Sequence, residues 1–171
     1  FLKKRGKTMI KLCRLDDRMI HGQIVTKWSR VISVDRIIVA NDQAGSNPII
    51  AKSLLMAAPG NMKVAVKTVK EAIELLHNPK AAAHDILLIV ANPQDLLTVV
   101  EQVEGIHRVN IGNWGLLEAS DGKVRETVSQ FVALSDDEKA ILAKVNEKVD
   151  DFVLQVTPDV SAIKVSSILK K

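Results

Sequence analysis

Residues 36–76 read RIIVANDQAGSNPIIAKSLLMAAPGNMKVAVKTVKEAIELL. Ile37 to Ala40 is a short, fully apolar run, as expected of a strand covered on both faces. Asn47-Pro48 supplies an N-cap followed by proline at the first helical position, and Ile50, Leu54 and Ala57 continue that helix. Pro59-Gly60 stops it. Met62 to Val66 forms the next strand. Thr68-Val-Lys-Glu71 then reads as a capping box, opening a helix with Val69, Ala72, Ile73 and Leu76 on one face. Strand, helix, strand, helix in this order specifies an α/β sheet, because parallel neighbours require crossovers.

The same rhythm extends in both directions. Upstream, Met9 to Arg14 is a strand, Leu15 to His21 a polar stretch, and Ile24, Val25, Trp28, Val31 and Ile32 recur at helical spacing. Downstream, Asp85 to Val90 is a strand, and Asn92-Pro93 caps a helix carrying Leu96, Val99, Val100 and Val103. Ile106 to Ile111 follows as a strand. The rhythm then changes. Gly112, Gly115 and Asp121-Gly122 mark turns, and Lys123–Thr127 with Gln130–Ala133 suit a small antiparallel pair. A second capping box, Ser135 to Glu138, opens a helix to about Val149, and Phe152 to Val156 is a last strand. The expected fold is α/β: an open, mostly parallel twisted sheet with helices on both faces and a small antiparallel C-terminal extension. Residues 9–171 read as one domain, with 1–8 an appended or upstream extension.

Composition narrows the function. The hydrophobic fraction is 47% but the aromatic fraction only 3%, with no Tyr, so the core is aliphatic. So few rings argue against a binder of single-stranded nucleic acid, which stacks bases on aromatics. The net charge of +4 slightly favours acidic ligands, phosphate included. Cys13 is the lone cysteine, sits in an apolar run, and reads as a small core residue of a reduced, intracellular protein. No apolar stretch is long enough to span a bilayer. Gly-rich nucleotide motifs are absent, and His77, His84 and His107 lack partners at metal-ligand spacing. No cofactor or metal is expected.

The chemistry concentrates after the first strand, at the sheet edge where open α/β folds bind ligands. Arg14-Leu-Asp-Asp-Arg18-Met-Ile-His21-Gly-Gln23 ends at a helix start. A neutral imidazole is nucleophilic near pH 7. Free amides and the positive end of a helix dipole receive phosphoryl oxygens, and Gly22 leaves the backbone bare for them. Arg14 and Arg18 offer planar, charge-assisted donors. Asp16 or Asp17 could hold an arginine or fix the imidazole tautomer. Phosphoryl transfer asks mainly for such positioning and electrostatics. Asn41-Asp42 follows the second strand, on the same sheet edge; Asp42 either completes the site or caps the next loop.

The run Arg14 to Val25, RLDDRMIHGQIV, closely resembles the phosphorylation loop of the IIB component of the mannose/fructose/sorbose class of bacterial sugar phosphotransferase systems. The similarity continues through Ile38-Val-Ala-Asn-Asp42, Ala57-Ala-Pro-Gly60 and Lys63-Val-Ala-Val66. The resemblance implies that His21 accepts a phosphoryl group from phosphohistidine on a IIA domain. It implies onward transfer to sugar held by the membrane IIC and IID components, from a cytoplasmic position beside them. Arg18 and Arg14 match the phosphate-stabilising pair, Asp16 their support, and Asp17, Gly22 and Gln23 flank them. Homo-oligomers are compatible with it. The chain departs from the family after the fifth strand, where a Gly-Gly-Met-like turn is usual and Gly112-Asn-Trp114-Gly115 stands. Trp114 is then either a partner contact or a residue packing the sheet edge. That turn also leaves room for a non-catalytic regulatory or binding module on the same fold. A receiver-like signalling domain fits poorly, since the third strand lacks a terminal Asp and the fifth a following Lys.

Overall fold

The computed structural model describes residues 9–116 and 121–169. The extension expected over residues 1–8 lies outside them. The elements run β1 (Ile10–Asp16), α1 (Gly22–Ile32), β2 (Arg36–Ala40), α2 (Asp42–Ser46), α3 (Pro48–Ala57), β3 (Lys63–Lys67), α4 (Val69–His77), a 3-10 turn (Pro79–Ala83), β4 (Ile86–Val90), α5 (Pro93–Gln102), β5 (Arg108–Asn113), β6 (Glu126–Ser129), β7 (Val132–Leu134), α6 (Asp136–Lys148), β8 (Asp151–Leu154), β9 (Ile163–Lys164) and α7 (Val165–Leu169).

Seven strands form one sheet in the order β3-β2-β4-β1-β5-β8-β9. All pairs are parallel except β8 with β9, and β6 and β7 make a separate antiparallel ribbon. The two faces bury separate apolar layers. On one face Leu12, Ile37, Val39, Leu87 and Ile89 meet Val25 and Trp28 of α1 and Leu54 of α3. On the other, Leu15, Ile38, Leu88 and Ile111 meet α4 through Ile73, α5 through Leu96, α6 through Leu142 and α7 through Ile168. β4 is buried along its whole length, which explains its unbroken apolar sequence.

Strand alternation turns this layering into a site. Because neighbouring side chains point to opposite faces, Leu12, Arg14 and Asp16 share the face that α1 covers. Arg14 pairs in register with Asn110 of β5, between Val109 and Ile111 of the opposite layer, so Asn110 also faces α1. β1 leaves towards α1 on one face while the crossovers after β4 and β5 use the other. The carboxyl end of β1 is therefore a topological switch point.

Several local expectations change. Leu15 and Asp16 belong to β1 rather than to a loop, because ladder bonds from β4 and β5 extend to them. α2 and the 3-10 turn were not legible as apolar periodicity, being single short turns held by Asn41 and Asn78 side chains. At Thr68 the capping box is half formed. Its hydroxyl accepts from Glu71 N at 3.2 Å, but the Glu71 carboxylate takes the Thr68 hydroxyl proton at 2.9 Å instead of a backbone amide. The Ser135–Glu138 box is complete in both directions. Gly112 is no turn: β5 runs through it to Asn113.

Candidate functional site

Asp16 closes β1 and is the hub of the site. Its Oδ1 accepts from Arg18 N at 3.0 Å and Arg18 Nε at 3.1 Å, and its Oδ2 accepts from Arg18 Nη2 at 3.1 Å and Arg14 Nη2 at 3.2 Å. One carboxylate thus holds two guanidiniums, Arg18 in the bidentate fork that suits arginine. The two arginines differ sharply in exposure. The Arg14 side chain is 1% exposed, as is that of Asp16, whereas Arg18 is 28% exposed.

The placement of Arg14 differs from that of Arg18: its guanidinium is turned into the protein. Nη1 donates to Asn110 Oδ1 at 3.1 Å and to the Gln155 carbonyl at 3.0 Å. Nη2 donates to Asp16 and, at 3.0 Å, to the Val156 carbonyl. All four Nη protons are committed to the protein, and the fifth N–H, on Nε, is buried without a hydrogen-bond partner. Burial lowers the Arg14 pKa to about 10, with Asp16 opposing the shift, and the guanidinium stays charged at neutral pH. Gly112 makes room for it: a Cβ there would lie 1.9 Å from Arg14 Nη2. Beneath the guanidinium lies the Trp28 ring, 5.6 Å from Cζ to centroid. Arg14 is a buried strut, and Arg18 is the arginine that reaches the surface.

Asp17 ties the loop to the next strand. Its amide donates to the Asn113 carbonyl at 3.0 Å, and its Oδ1 accepts from Asn113 Nδ2 at 2.6 Å. Burial pushes its carboxyl pKa up, with the Asn113 bond opposing. Met19 then adopts a left-handed φ of 61°, with its amide on the Asp16 carbonyl at 2.9 Å. That conformation is costly for a non-glycine residue, by roughly 1–2 kcal/mol, and it turns the chain from strand into helix within a few residues.

His21 occupies the N-cap of α1 and is exposed. Its side chain makes no capping bond, so its ring is not spent on the helix. Its carbonyl accepts the first helical bonds, from Ile24 N at 3.0 Å and Val25 N at 3.4 Å. The amides of Gly22 and Gln23 precede those bonds. Space beside Gly22 is open, with nothing within 4 Å of a built Cβ. The first turn carries no acidic residue, although helix starts favour them. An anion can take the place such a side chain would fill. His21, Gly22, Gln23 and the Arg14–Asp16–Arg18 clasp therefore stand on either side of one short loop.

Two other candidates are held by partners outside the clasp. Asp42 Oδ1 accepts from Val69 N at 2.9 Å, so it caps α4, and its charge adds to the burial that raises Asp95 on α5. Asp42 thus bonds the start of α4, while the cap of the element that follows β2 is the Asn41 side chain. Trp114 packs the sheet edge. It bridges to Val132, exchanges backbone bonds with Phe131 and Ala133, and its ring lies 5.4 Å from Arg125 Cζ. Arg125 in turn holds the buried Glu138 carboxylate at 2.7 Å. Burial pushes Glu138 up, but Arg125 and the Ser135 amide together hold it below the usual carboxylate range.

Sequence reasoning missed Asn110, Asn113, Trp28 and the carbonyls of Gln155 and Val156. Trp28 reads as a core residue at helical spacing, and backbone carbonyls carry no sequence signal at all.

Comparison with known proteins agrees with this fold. The family model described as PTS system sorbose subfamily IIB component matches residues 10–171. Over 162 residues the chain is 30% identical to a probable phosphotransferase enzyme IIB component of Streptococcus pyogenes, covering 94% of this chain and 99% of that one. It is 28% identical over 163 residues to the mannose-specific EIIAB component of Escherichia coli, covering 95% of this chain and 49% of that one. The crystal structure of the IIBSor domain of the sorbose permease from Klebsiella pneumoniae superposes with a TM-score of 0.84 at 28% identity, covering 94% of this chain and 96% of that one.

Proposed function

Because the chain belongs to the sorbose subfamily of IIB components of the sugar phosphotransferase system, we propose that His21 is its phosphoryl-carrying residue and Arg18 the side chain that steadies the group in transit. The observation that carries the reading is the exposed, uncapped His21 at the start of a helix with no acid in its first turn, beside an arginine aimed by Asp16.

The step is a transfer between two imidazoles. The P–N bond to the donor histidine of a IIA domain breaks as a P–N bond to a His21 ring nitrogen forms. The electron pair of the broken bond stays on the donor ring. Charge on the three phosphoryl oxygens falls to the Gly22 and Gln23 amides and to Arg18, where positioning and electrostatics do most of the catalysis. In the second step a sugar hydroxyl oxygen attacks phosphorus, the P–N bond to His21 breaks, and the hydroxyl proton ends on the released imidazole or in water. Asp16 and Arg14 act one layer back, fixing the direction of Arg18. Asp17, through Asn113, holds the loop that carries them.

The E. coli relative joins a IIA and a IIB part in one chain, which supports a IIA phosphohistidine as donor. Membrane IIC and IID components holding the sugar are the acceptors' site, and the chain works beside them on the cytoplasmic side. Among the described residues no helix is long and apolar enough to cross a membrane. Residues 9–171 act as one IIB domain. The half-buried packing of Trp114 against Val132 and Arg125 supports the phosphocarrier reading over the non-catalytic alternative.

The test is intact mass after incubation with phosphoenolpyruvate, the general phosphotransferase proteins and a cognate IIA. Wild type gains one acid-labile phosphoryl group and His21→Ala gains none. A His21→Ala protein that still accepts the group refutes the assignment.

A further inference from the structure

Both halves of the site end on one backbone carbonyl. Val156 O accepts from Arg14 Nη2 at 3.0 Å and from Trp28 Nε1 at 2.8 Å. Arg14 leads through Asp16 to Arg18. Trp28 lies on α1, two turns after the His21 cap, and is 1% exposed. Its ring also underlies the Arg14 guanidinium. We infer that Trp28 is a positioning residue for phosphoryl transfer, setting α1, and with it His21 and the Gly22 and Gln23 amides, in register with the arginine clasp through the shared Val156 carbonyl. The inference rests on the reading of His21 given above.

The physical case turns on direction. The other buried contacts of α1, through Val25 and its partners, are apolar and tolerate small slides and rotations. The Trp28 N–H bond is directional, and it joins α1 to the carbonyl that also fixes Arg14. Phosphoryl transfer is steeply sensitive to such register: a misplacement of about 1 Å can cost roughly 100-fold in rate. The carbonyl has two lone pairs and two donors. Losing the indole donor leaves Arg14 still bound there, so no buried acceptor is orphaned. The stability cost of Trp28→Phe is then the volume that the smaller ring leaves, not an unpaired carbonyl.

Two measurements test it. The chain has two tryptophans, so its nitrogen-15 spectrum has two indole resonances, assigned with a Trp114→Phe variant. On charging wild type with phosphorylated IIA, the Trp28 indole resonance moves and the Trp114 resonance does not. A Trp28 resonance unmoved in fully charged protein overturns the inference. Second, folded Trp28→Phe accepts the phosphoryl group about tenfold more slowly or worse, at an unchanged half-saturating concentration of phosphorylated IIA. A folded Trp28→Phe with the wild-type rate overturns it as well. If that variant does not fold, the spectrum of wild type decides alone. His21→Ala is run alongside: labelling in that protein sinks the assignment of His21 itself, and is distinct from either result at Trp28.

Discussion

Asp16→Asn is the most informative single change. Each carboxylate oxygen accepts two donors: Oδ1 takes the Arg18 amide and Nε, and Oδ2 takes Nη2 of both arginines. An asparagine of the same shape must turn its amide protons into one of those pairs, so donors meet donors whichever way it sits. It also removes the countercharge from a guanidinium that is 1% exposed. Breaking a buried ion pair by deleting one partner costs about 3–5 kcal/mol. For a domain of this size 1 kcal/mol corresponds to about 2–4 °C, so the melting temperature should fall by roughly 6–20 °C. Urea titration of wild type and variant measures the first figure, and calorimetry the second. Phosphoryl acceptance by the folded fraction should fall as well, since Arg18 loses its guide. Gly112→Ala attacks the same clasp from β5, because the added Cβ would lie 1.9 Å from Arg14 Nη2. It should reproduce both defects. An Asp16→Asn protein within about 1 kcal/mol of wild type would refute the claim that a buried pair anchors the loop.

Other outcomes follow from the same geometry. Burial raises Asp17 in the folded state, so between its unfolded and folded pKa the native protein binds the extra proton, and stability falls as pH rises through that window. Asp17→Asn keeps an acceptor for Asn113, and should melt higher than wild type at neutral pH. The advantage should vanish below the ordinary aspartate pKa of about 3.9, as melting curves across pH will report. Cys13 is buried and its thiol is pushed up to about 12, so iodoacetamide at pH 8 should label it only on unfolding, and rapid labelling of native protein would contradict the burial. Trp114→Ala should destabilise towards the lower end of the 3–5 kcal/mol typical of aromatic truncation, because the ring is only half-buried, while the folded fraction keeps its rate of phosphoryl acceptance.

The fold was readable because parallel neighbours need crossover helices, and four of these announce themselves at their starts, with Asn47-Pro48, Asn92-Pro93, Thr68-x-x-Glu71 and Ser135-x-x-Glu138. Elements that failed to show were too short for periodicity, as with Asp42–Ser46, or were shaped by tertiary pairing, as with the extension of β1 to Asp16 and of β5 through Gly112 to Asn113. Within the loop, residue types and spacing drew attention to His21, the two arginines and the Asp16-Asp17 pair, and the resemblance chose among them. Types and spacing could not distinguish Arg14 from Arg18, because the difference is burial, and burial here depends on groups 96 to 142 residues away. Nor could they expose Trp28, whose apolar spacing hides a polar task.

The left-handed backbone at Met19 gives protein engineers a reason for caution. A segment copied from Arg14 to Val25 into another α/β scaffold would bring the His21 ring and the visible charges. It would leave behind the glycine that makes space on β5, the asparagine that fastens the bend, and the carbonyls beyond β8. Without them nothing obliges a methionine to keep a positive φ, and the transplanted stretch would relax into an ordinary turn with its histidine aimed elsewhere. The portable unit is three strand ends and one helix, scattered across the whole chain.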